Sequence, residues 1–515
     1  MKITTKNIIL SATLALTLGA CSKGEFEEIN TDPNRPANVP TPSIILAAQK
    51  QLVDNIRNEN FSLRGAQLFA QYYSQNIYTD QSRYDIPRSY SDTYWSNAYK
   101  VLNNLNNVIQ LNVDEETKAI ASAGTAGTNA NQIAISRILK TFAFHSLTDA
   151  FGDIPYQSYG NDDPDFEALQ QNPDNYTPKY APQQKIYVDM LNELKQAADT
   201  LWKYKDQNTF GNSDIIYKGN NELWARFANS LRLRLATRIR AKDPDLAVQH
   251  IEAAIAQGVF TSNAHNAVFR YSASAPNEAP LYRATVTANR KDFAISHVLI
   301  NALKGELGPF DSKDPRLPVY ALPNENGDYI GQPYGLPLEA GGINGPTDIS
   351  LPGSVINAPD FGETLQEYAE VAFLIAEHKN WSDEEYRRGV QASLEKWGIA
   401  AADAKAYADG LPAANRENVL TQKYFALFTQ GLEAWSEIRR TGYPTFLVKP
   451  NDVVWERTTA GGTTIYRFDP IFGDGIPKRL FYPAKEQSVN RSNYQSALAN
   501  QGDDVITTPV WWNKP

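Results

Sequence analysis

The sequence predicts a mostly α-helical protein in which stacked helix pairs form a scaffold, with long loop-rich faces and a few short strands. Over several long stretches apolar residues recur every three to four positions, which is typical of amphipathic helices. In residues 94–109, for example, Tyr94, Ala98, Leu102 and Ile109 share one helical face. Residues 305–362 are instead rich in Pro and Gly, which predicts a long irregular segment.

The same periodicity places helices along most of the chain. Asp243 followed by Pro244 is typical of a helix start, and it predicts a helix that ends at Gln257 before Gly258. The predicted helices are 44–56, 63–73, 94–109, 133–147, 183–203, 220–240, 243–257, 292–304, 363–378, 383–397 and 419–440, and a short strand is predicted at 463–468. Their lengths are similar to those of tetratricopeptide units, but no clean repeat of about 34 residues is present.

The N-terminus predicts export and lipid attachment. Lys2 and Lys6 precede an apolar run, residues 8–18, that is too short to span a bilayer. A Leu-Gly-Ala sequence then leads directly to Cys21, the only cysteine. This junction resembles the lipobox of bacterial lipoproteins, which implies that residues 1–20 are a signal peptide and that Cys21 carries the lipid anchor. The alternative is an ordinary cleavage site beside a chance cysteine.

The residues after the cysteine predict a tether. Residues 21–42 are polar, acidic at first and punctuated by four prolines, so an extended chain is favoured over a helix. Acidic residues soon after a lipidated cysteine resemble the surface-export signals of Bacteroidetes lipoproteins, which implies the outer face of the outer membrane. Residues 43–515 are then predicted to form a single helical domain.

Composition argues against nucleic-acid binding. The chain has 49 Lys and Arg against 58 Asp and Glu, a net charge of −9. Such a chain has no general attraction for phosphate backbones. The arginines of residues 226–240 are distributed around the predicted helix, so we expect their stems to cover apolar surface and their heads to find carboxylates.

The sequence predicts neither an enzyme nor a bound cofactor or metal ion. It contains none of the patterns GxxxxGK[ST], GxGxxG, GxSxG or HExxH, and its five histidines are scattered. A glycosidase would need only two suitably spaced carboxylates, and no short motif marks such a pair. His145 falls on the apolar face of helix 133–147, which favours packing over catalysis. Residues 161–167 (NDDPDFE) lack the spacing of an EF-hand loop, so a solvated acidic loop is favoured over a calcium site.

Several blocks, in order along nearly the whole chain, resemble the SusD/RagB family of outer-membrane lipoproteins and its SusD-like subgroup. The blocks are FEEINTDPNRP after the lipobox, YWSNAYKVLNNLNNVI, LTDAFGDIPY, LWARFANSLRLRLATRI, QKYFALFTQGLEAWSEIRRTGYP and the tail from FYPAKEQSVNRS to VWW. The resemblance implies a tetratricopeptide-like fold and a non-catalytic role as the substrate-capturing lid of a SusC-like TonB-dependent transporter. It implies an oligosaccharide cargo, with an oligopeptide as the alternative.

Two segments combine aromatic rings with polar side chains, as a sugar-binding surface requires. The candidate ligand-binding residues are Tyr78, Arg83, Tyr84, Arg88 and Tyr90 in residues 77–90, and Tyr320, Asn326, Asp328, Tyr329 and Tyr334 in residues 320–334. The alternative is that these tyrosines pack the loops onto helices or face the transporter.

Overall fold

Helices form most of the part of the chain that the structure describes. The computed structural model describes residues 39–170, 175–340 and 347–514, so Cys21 and the predicted signal peptide lie outside the described residues. The long helices are α1 (Thr41–Ile56), α2 (Arg88–Val113), α3 (Asn129–Phe151), α4 (Gln183–Lys203), α5 (Asn221–Ile239), α6 (Pro244–Gln257), α7 (His297–Lys304), α8 (Tyr368–His378), α9 (Asp383–Lys396), α10 (Ala401–Gly410), α11 (Arg416–Ala426), α12 (Gly431–Thr441) and α13 (Arg491–Gln501).

Shorter elements connect these helices. Short α-helical turns are Gln67–Phe69, Lys118–Ala121, Pro280–Tyr282, Leu317–Tyr320 and Glu486–Val489, and π-helical turns are Glu59–Ala66 and Arg283–Thr287. The 3-10 turns are Gln81–Arg83, Gly211–Ser213, Asn263–His265, Leu338–Ala340 and Trp511–Asn513. The strands are β1 (Tyr73–Gln75), β2 (Ala267–Arg270), β3 (Phe293–Ile295), β4 (Gly362–Gln366), β5 (Val453–Thr459) and β6 (Gly462–Arg467).

The helices stack in chain order, which confirms the predicted mostly α-helical scaffold of helix pairs. Each helix from α1 to α5 packs against the next one, and α8, α9 and α10 form a second succession. The α2 stripe is buried as predicted, with Tyr94 1% and Leu102 0% exposed. The predicted cap of α6 is also present, since the Asp243 carboxylate accepts a hydrogen bond from the backbone N–H of Leu246 at 3.1 Å.

The strands form three antiparallel pairs that fasten loops together. β1 pairs with β3, with Tyr73 opposite Ile295, and β2 pairs with β4. β5 and β6 form a hairpin whose turn lies between Thr459 and Gly462. The predicted strand at 463–468 is therefore confirmed.

Two predicted helices begin later than expected because their first residues form strands. Residues 292–304 start with β3, and α7 begins only after Ser296, whose hydroxyl caps it by accepting from the backbone N–H of Val298. Residues 363–378 start within β4. In both places pairing with a distant strand outweighs the local helical pattern, so the helix prediction was wrong there.

Two other predicted helices are interrupted. Residues 419–440 are divided between α11 and α12, because Thr429 takes a φ of +77°, which a continuous helix does not allow. Residues 63–73 are divided among a π-helical turn, a short α-helix and β1, with Gln71 at a φ of +56°.

The arginines of α5 mostly find buried partners. The guanidinium of Arg234 binds the Glu370 carboxylate, and that of Arg238 binds the Glu433 carboxylate at 2.6 Å. Arg232 instead donates from Nε to Nδ1 of His250 at 2.7 Å. The expectation that these arginines pair with carboxylates is confirmed for Arg226, Arg234 and Arg238. It is wrong for Arg232.

His145 is packed in the core, and the carboxylates of the acidic loop pair with a lysine. His145 is 2% exposed, and its Nδ1 lies 3.1 Å from the Asp149 carboxylate. The Asp163 and Asp165 carboxylates of the acidic loop lie 3.1 and 2.7 Å from Lys185 Nζ. Within residues 39–170, 175–340 and 347–514, no cluster of three or more His, Cys, Asp or Glu side chains is arranged to hold a metal ion.

Candidate functional site

The structure brings the two predicted ligand-binding segments together. The Ser74 hydroxyl donates to the carbonyl oxygen of Pro333 at 3.0 Å. The ring of Phe468, at the end of the β5–β6 hairpin, lies 5.5 Å from the ring of Tyr84 and 5.5 Å from that of Tyr334. We call the surface formed by residues 76–84, 322–335 and 468–472 the loop face.

Three of the predicted tyrosines are core residues. Tyr84 is 1% exposed, whereas Tyr320 and Tyr334 are fully buried. The Tyr334 hydroxyl donates to the carbonyl oxygen of Leu68, and burial raises the pKa of Tyr84 to about 12. A ring without exposed surface cannot stack on a ligand, so the expectation that these three residues bind ligand is corrected.

Tyr320 shows why such a ring is buried. It stacks on Phe428 at 4.3 Å between ring centroids, and its hydroxyl donates to the carbonyl oxygen of Phe425 at 2.9 Å. The Pro- and Gly-rich segment therefore enters the core at this tyrosine before it returns to the surface at Leu322.

Arg88 and Tyr90 belong to the first turn of α2 and are already engaged. Arg88 pairs with the Asp504 carboxylate at 2.6 Å, and its guanidinium lies 4.2 Å from the ring centre of Phe481. Tyr90 is half-buried against the core. Their contacts are thus with the C-terminal part of the chain and the core.

Tyr78 is the most exposed aromatic residue among the candidates. Tyr78 is 61% exposed to solvent, and the neighbouring Ile77 is 48% exposed. The backbone at Tyr78 has a φ of +57°, between the buried residues of β1 and the buried Thr79. Both flanks of this tight turn are fixed in the core, so the ring is presented to solvent from an anchored backbone.

Arg83 connects this turn to the end of the hairpin. Its Nε donates to the carbonyl oxygen of Asp469 at 2.8 Å, and its own carbonyl oxygen accepts from the backbone N–H of Ile471 at 2.7 Å. These two bonds place the exposed Phe472 next to Arg83 along the loop face.

Asn326, Asp328 and Tyr329 lie at an ordered turn of the second segment. The side-chain oxygen of Asn324 accepts hydrogen bonds from the backbone N–H groups of Asn326 (3.0 Å) and Asp328 (2.9 Å). The Asn326 and Asp328 residues are exposed, and Tyr329 is half-buried, with Lys313 Nζ 5.3 Å from its ring centre. This turn therefore offers an amide, a carboxylate and the edge of a ring.

The aromatic residues of the β5–β6 hairpin are not among the residues predicted from the sequence. Trp455 on β5 and Tyr466 on β6 stack with their ring centroids 5.2 Å apart and an interplanar angle of 23°. Both are half-buried. The alternation in VVWERTT and TTIYRF, joined by Ala-Gly-Gly, is a hairpin signal that would have placed these rings side by side.

A stacked helical scaffold that presents exposed rings, amides and carboxylates from its loops has the features of a ligand-binding protein. The family model described as "Starch-binding associating with outer membrane" matches residues 33–468. The chain therefore belongs to the SusD-like family, whose members are binding proteins and not enzymes. This confirms the resemblance found in the sequence.

Solved structures have the same fold over most of their length. A chitin-binding protein is 25% identical with a TM-score of 0.72, covering 92% of this chain and 99% of its own. A chitin-binding SusD homologue from Flavobacterium johnsoniae is 24% identical with a TM-score of 0.69, covering 91% and 98%. A SusD homologue from Parabacteroides distasonis is 23% identical with a TM-score of 0.74, covering 93% and 98%.

No curated protein matches the sequence. Among the described residues, no helix has the length and apolarity needed to cross a membrane.

Proposed function

We propose that this protein captures oligosaccharides on its loop face and passes them to a SusC-like TonB-dependent transporter in the outer membrane. The observation that carries the proposal is the exposed ring of Tyr78 on a backbone anchored at both flanks, with the exposed Asn326 and Asp328 in the other segment of the loop face. A sugar ring has apolar C–H faces and a rim of hydroxyls. It is therefore bound by flat aromatic surfaces next to hydrogen-bonding side chains.

The relatives support a glycan as the ligand. The family description names starch, and two of the solved relatives are described as chitin-binding. Starch and chitin are both chains of pyranose rings, which share the combination of C–H faces and hydroxyl rims. The common chemistry favours an oligosaccharide over the alternative, an oligopeptide.

Replacing Tyr78 with alanine is expected to weaken oligosaccharide binding about tenfold, or ~1.4 kcal/mol. The loss comes from removing the ring surface on which a sugar stacks, while the melting temperature stays unchanged because the ring is mostly in solvent. Isothermal titration calorimetry with starch and chitin oligosaccharides measures the affinity.

The matched control is Tyr176→Ala. Tyr176 is 78% exposed and lies on the loop between α3 and α4, so its removal should leave the affinity unchanged. Equal affinities for the wild type and Tyr78→Ala would exclude Tyr78 as a platform. Binding of mixed oligopeptides without binding of any oligosaccharide would overturn the proposed function in favour of a peptide carrier.

We further propose that the protein is anchored through a lipid on Cys21 at the outer face of the outer membrane. The family description associates its members with the outer membrane, and several buried acyl chains give stable anchoring. The Cys21→Ser variant is expected to move from the membrane fraction to the soluble fraction while its affinity for oligosaccharides stays unchanged. Fractionation followed by immunoblotting measures this, and retention of the variant in the outer membrane would contradict a lipid anchor as the sole attachment.

A further inference from the structure

A concave surface separate from the loop face lies between α1 and the end of β2. It is an open groove of about 560 Å³, within the range of about 300–1,000 Å³ found for ligand clefts. Its lining residues are Ser43, Leu46, Ala47, Lys50, Gln51, Asp54, Ile215, Phe269, Arg270, Tyr271, Ser272 and Asn277. The α1 residues are spaced so that one exposed face of the helix forms a wall of the groove.

One end of the groove is held rigid by an ion-paired carboxylate. The Asp54 carboxylate accepts hydrogen bonds from Lys50 Nζ (2.6 Å), the Tyr271 hydroxyl (2.8 Å) and Arg283 Nη2 (3.2 Å). Burial and the charge of Asp54 raise the pKa of Tyr271, so its phenol remains a donor to Asp54. These bonds cross-link α1, the end of β2 and the π-helical turn Arg283–Thr287.

The remainder of the groove combines apolar surface with available polar groups. Leu46 is 40% exposed, and Ile215 is half-buried beside it in the lining. The side-chain oxygen of Gln51 accepts from Asn104 at 2.9 Å, which leaves its amide N–H groups as donors. Asn277 and Ser43 are exposed at the rim. This is the combination of aliphatic surface, amides and hydroxyls that suits the face and rim of a sugar ring.

Two ion-pair bridges connect this groove with the loop face. At the groove, Arg283 binds Asp54. Further along the same stretches, Arg290 binds Glu59 (3.2 Å) and Asp292 (2.8 Å). The carbonyl oxygen of Asp292 accepts from the backbone N–H of Asn76, a loop-face residue two positions before Tyr78. The same two stretches of chain, residues 54–59 and 283–292, therefore border both surfaces.

We propose that this groove is a second subsite that holds the distal units of a long oligosaccharide whose other end lies on the loop face. The inference rests on the proposed function for the class of ligand. It adds that the protein selects extended chains, because only a chain long enough to reach both surfaces gains contacts in the groove. Each additional contact made by one ligand raises its affinity without a second association event.

The test compares chain lengths. Chitin oligosaccharides and starch oligosaccharides of two to six units are titrated by calorimetry into the wild type and into Leu46→Glu, which puts a charged side chain in the groove. Leu46 is partly exposed on α1, so this variant should retain the melting temperature of the wild type. We expect the affinity for the six-unit chain to fall about tenfold and that for the two-unit chain to stay the same.

Controls separate the two proposals. Ile120→Glu changes a residue that is 65% exposed on another helix and should not alter binding of either length. Tyr78→Ala should weaken binding of both lengths. If Leu46→Glu binds the six-unit chain as tightly as the wild type, the second subsite is overturned while the loop face stands. If no oligosaccharide of either kind binds the wild type, both proposals are overturned.

Gln51→Ala provides a second variant that adds no charge. It removes the amide donors from the wall of the groove without adding bulk, and we expect a smaller loss, about threefold, for the six-unit chain only. An equal loss for the two-unit chain would mean that the groove itself is the principal site, which contradicts its role as a distal subsite.

Discussion

The Arg238→Ala variant is expected to lower the free energy of unfolding by about 3–5 kcal/mol. Arg238 is 1% exposed and is surrounded by three carboxylates. Its guanidinium nitrogens lie 2.6 Å from Glu433, 3.3 Å from Glu437 and 3.9 Å from Asp149. Removing this cation leaves the buried carboxylates with one positive charge fewer and takes from Glu433 its shortest ion pair. An uncompensated buried charge costs far more than an intact pair contributes.

The pKa of Asp149 shows that nearby cations stabilise the buried carboxylates around Arg238. Burial raises the pKa of Asp149, but the charges of His145 and Arg238 outweigh burial and hold that pKa well below its ordinary value. The cluster also joins elements distant in sequence, since Asp149 belongs to α3, Arg238 to α5 and Glu433 to α12. Loss of Arg238 therefore weakens the contacts that hold α12 against α3 and α5.

Urea denaturation followed by circular dichroism measures the change, with Arg226→Ala as the matched control. Arg226 is on the same helix and pairs with Glu222 at 2.7 Å, but the Glu222 side chain is 40% exposed. Solvent screens such a pair, so we expect a loss of less than about 1 kcal/mol. Similar losses of unfolding free energy for the two variants would contradict the prediction, because they would show that a buried ion pair contributes no more to stability here than an exposed one.

Local sequence patterns predicted the scaffold well and the loop face poorly. The stripe on α2 and the cap of α6 depend on neighbouring residues, and both are present. The burial of a loop tyrosine depends on distant residues instead. Tyr78 and Tyr84 are six positions apart and equally plausible as ligand platforms in the sequence, yet one is 61% exposed and the other 1%.

The cause of that difference is Phe468, which is remote in the chain. Its ring packs against both Tyr84 and Tyr334. These two predicted ligand-binding tyrosines are therefore buried beneath the loop face. The strand β4 was missed for the same reason, because its partner β2 lies almost a hundred residues earlier. Periodicity carries no information on such contacts, whereas it does report which side of a helix is buried.

The Phe468→Ala variant is accordingly expected to lose about 3–5 kcal/mol of stability and also to bind oligosaccharides more weakly. Phe468 is 1% exposed, so it does not touch a ligand on the surface. Its ring packs against both Tyr84 and Tyr334, and a Cβ atom added at Gly335 would lie only 2.4 Å from it. A cavity at this point removes one of the contacts that join residues 76–84 to residues 322–335, so Tyr78 and the Asn326–Asp328 turn are held less firmly relative to each other.

The matched control for this variant is Phe166→Ala. Phe166 is 2% exposed and packs against Tyr156, 4.8 Å away between ring centroids, on the loop after α3. Thermal and urea denaturation should show a comparable loss of stability for the two variants, because each removes one buried phenyl ring. Calorimetry at a temperature where both remain folded should show weaker binding only for Phe468→Ala. Equal affinities would mean that the loop face keeps its geometry without the Phe468 ring, and that its binding side chains are positioned by the hydrogen bonds of Ser74 and Arg83 alone.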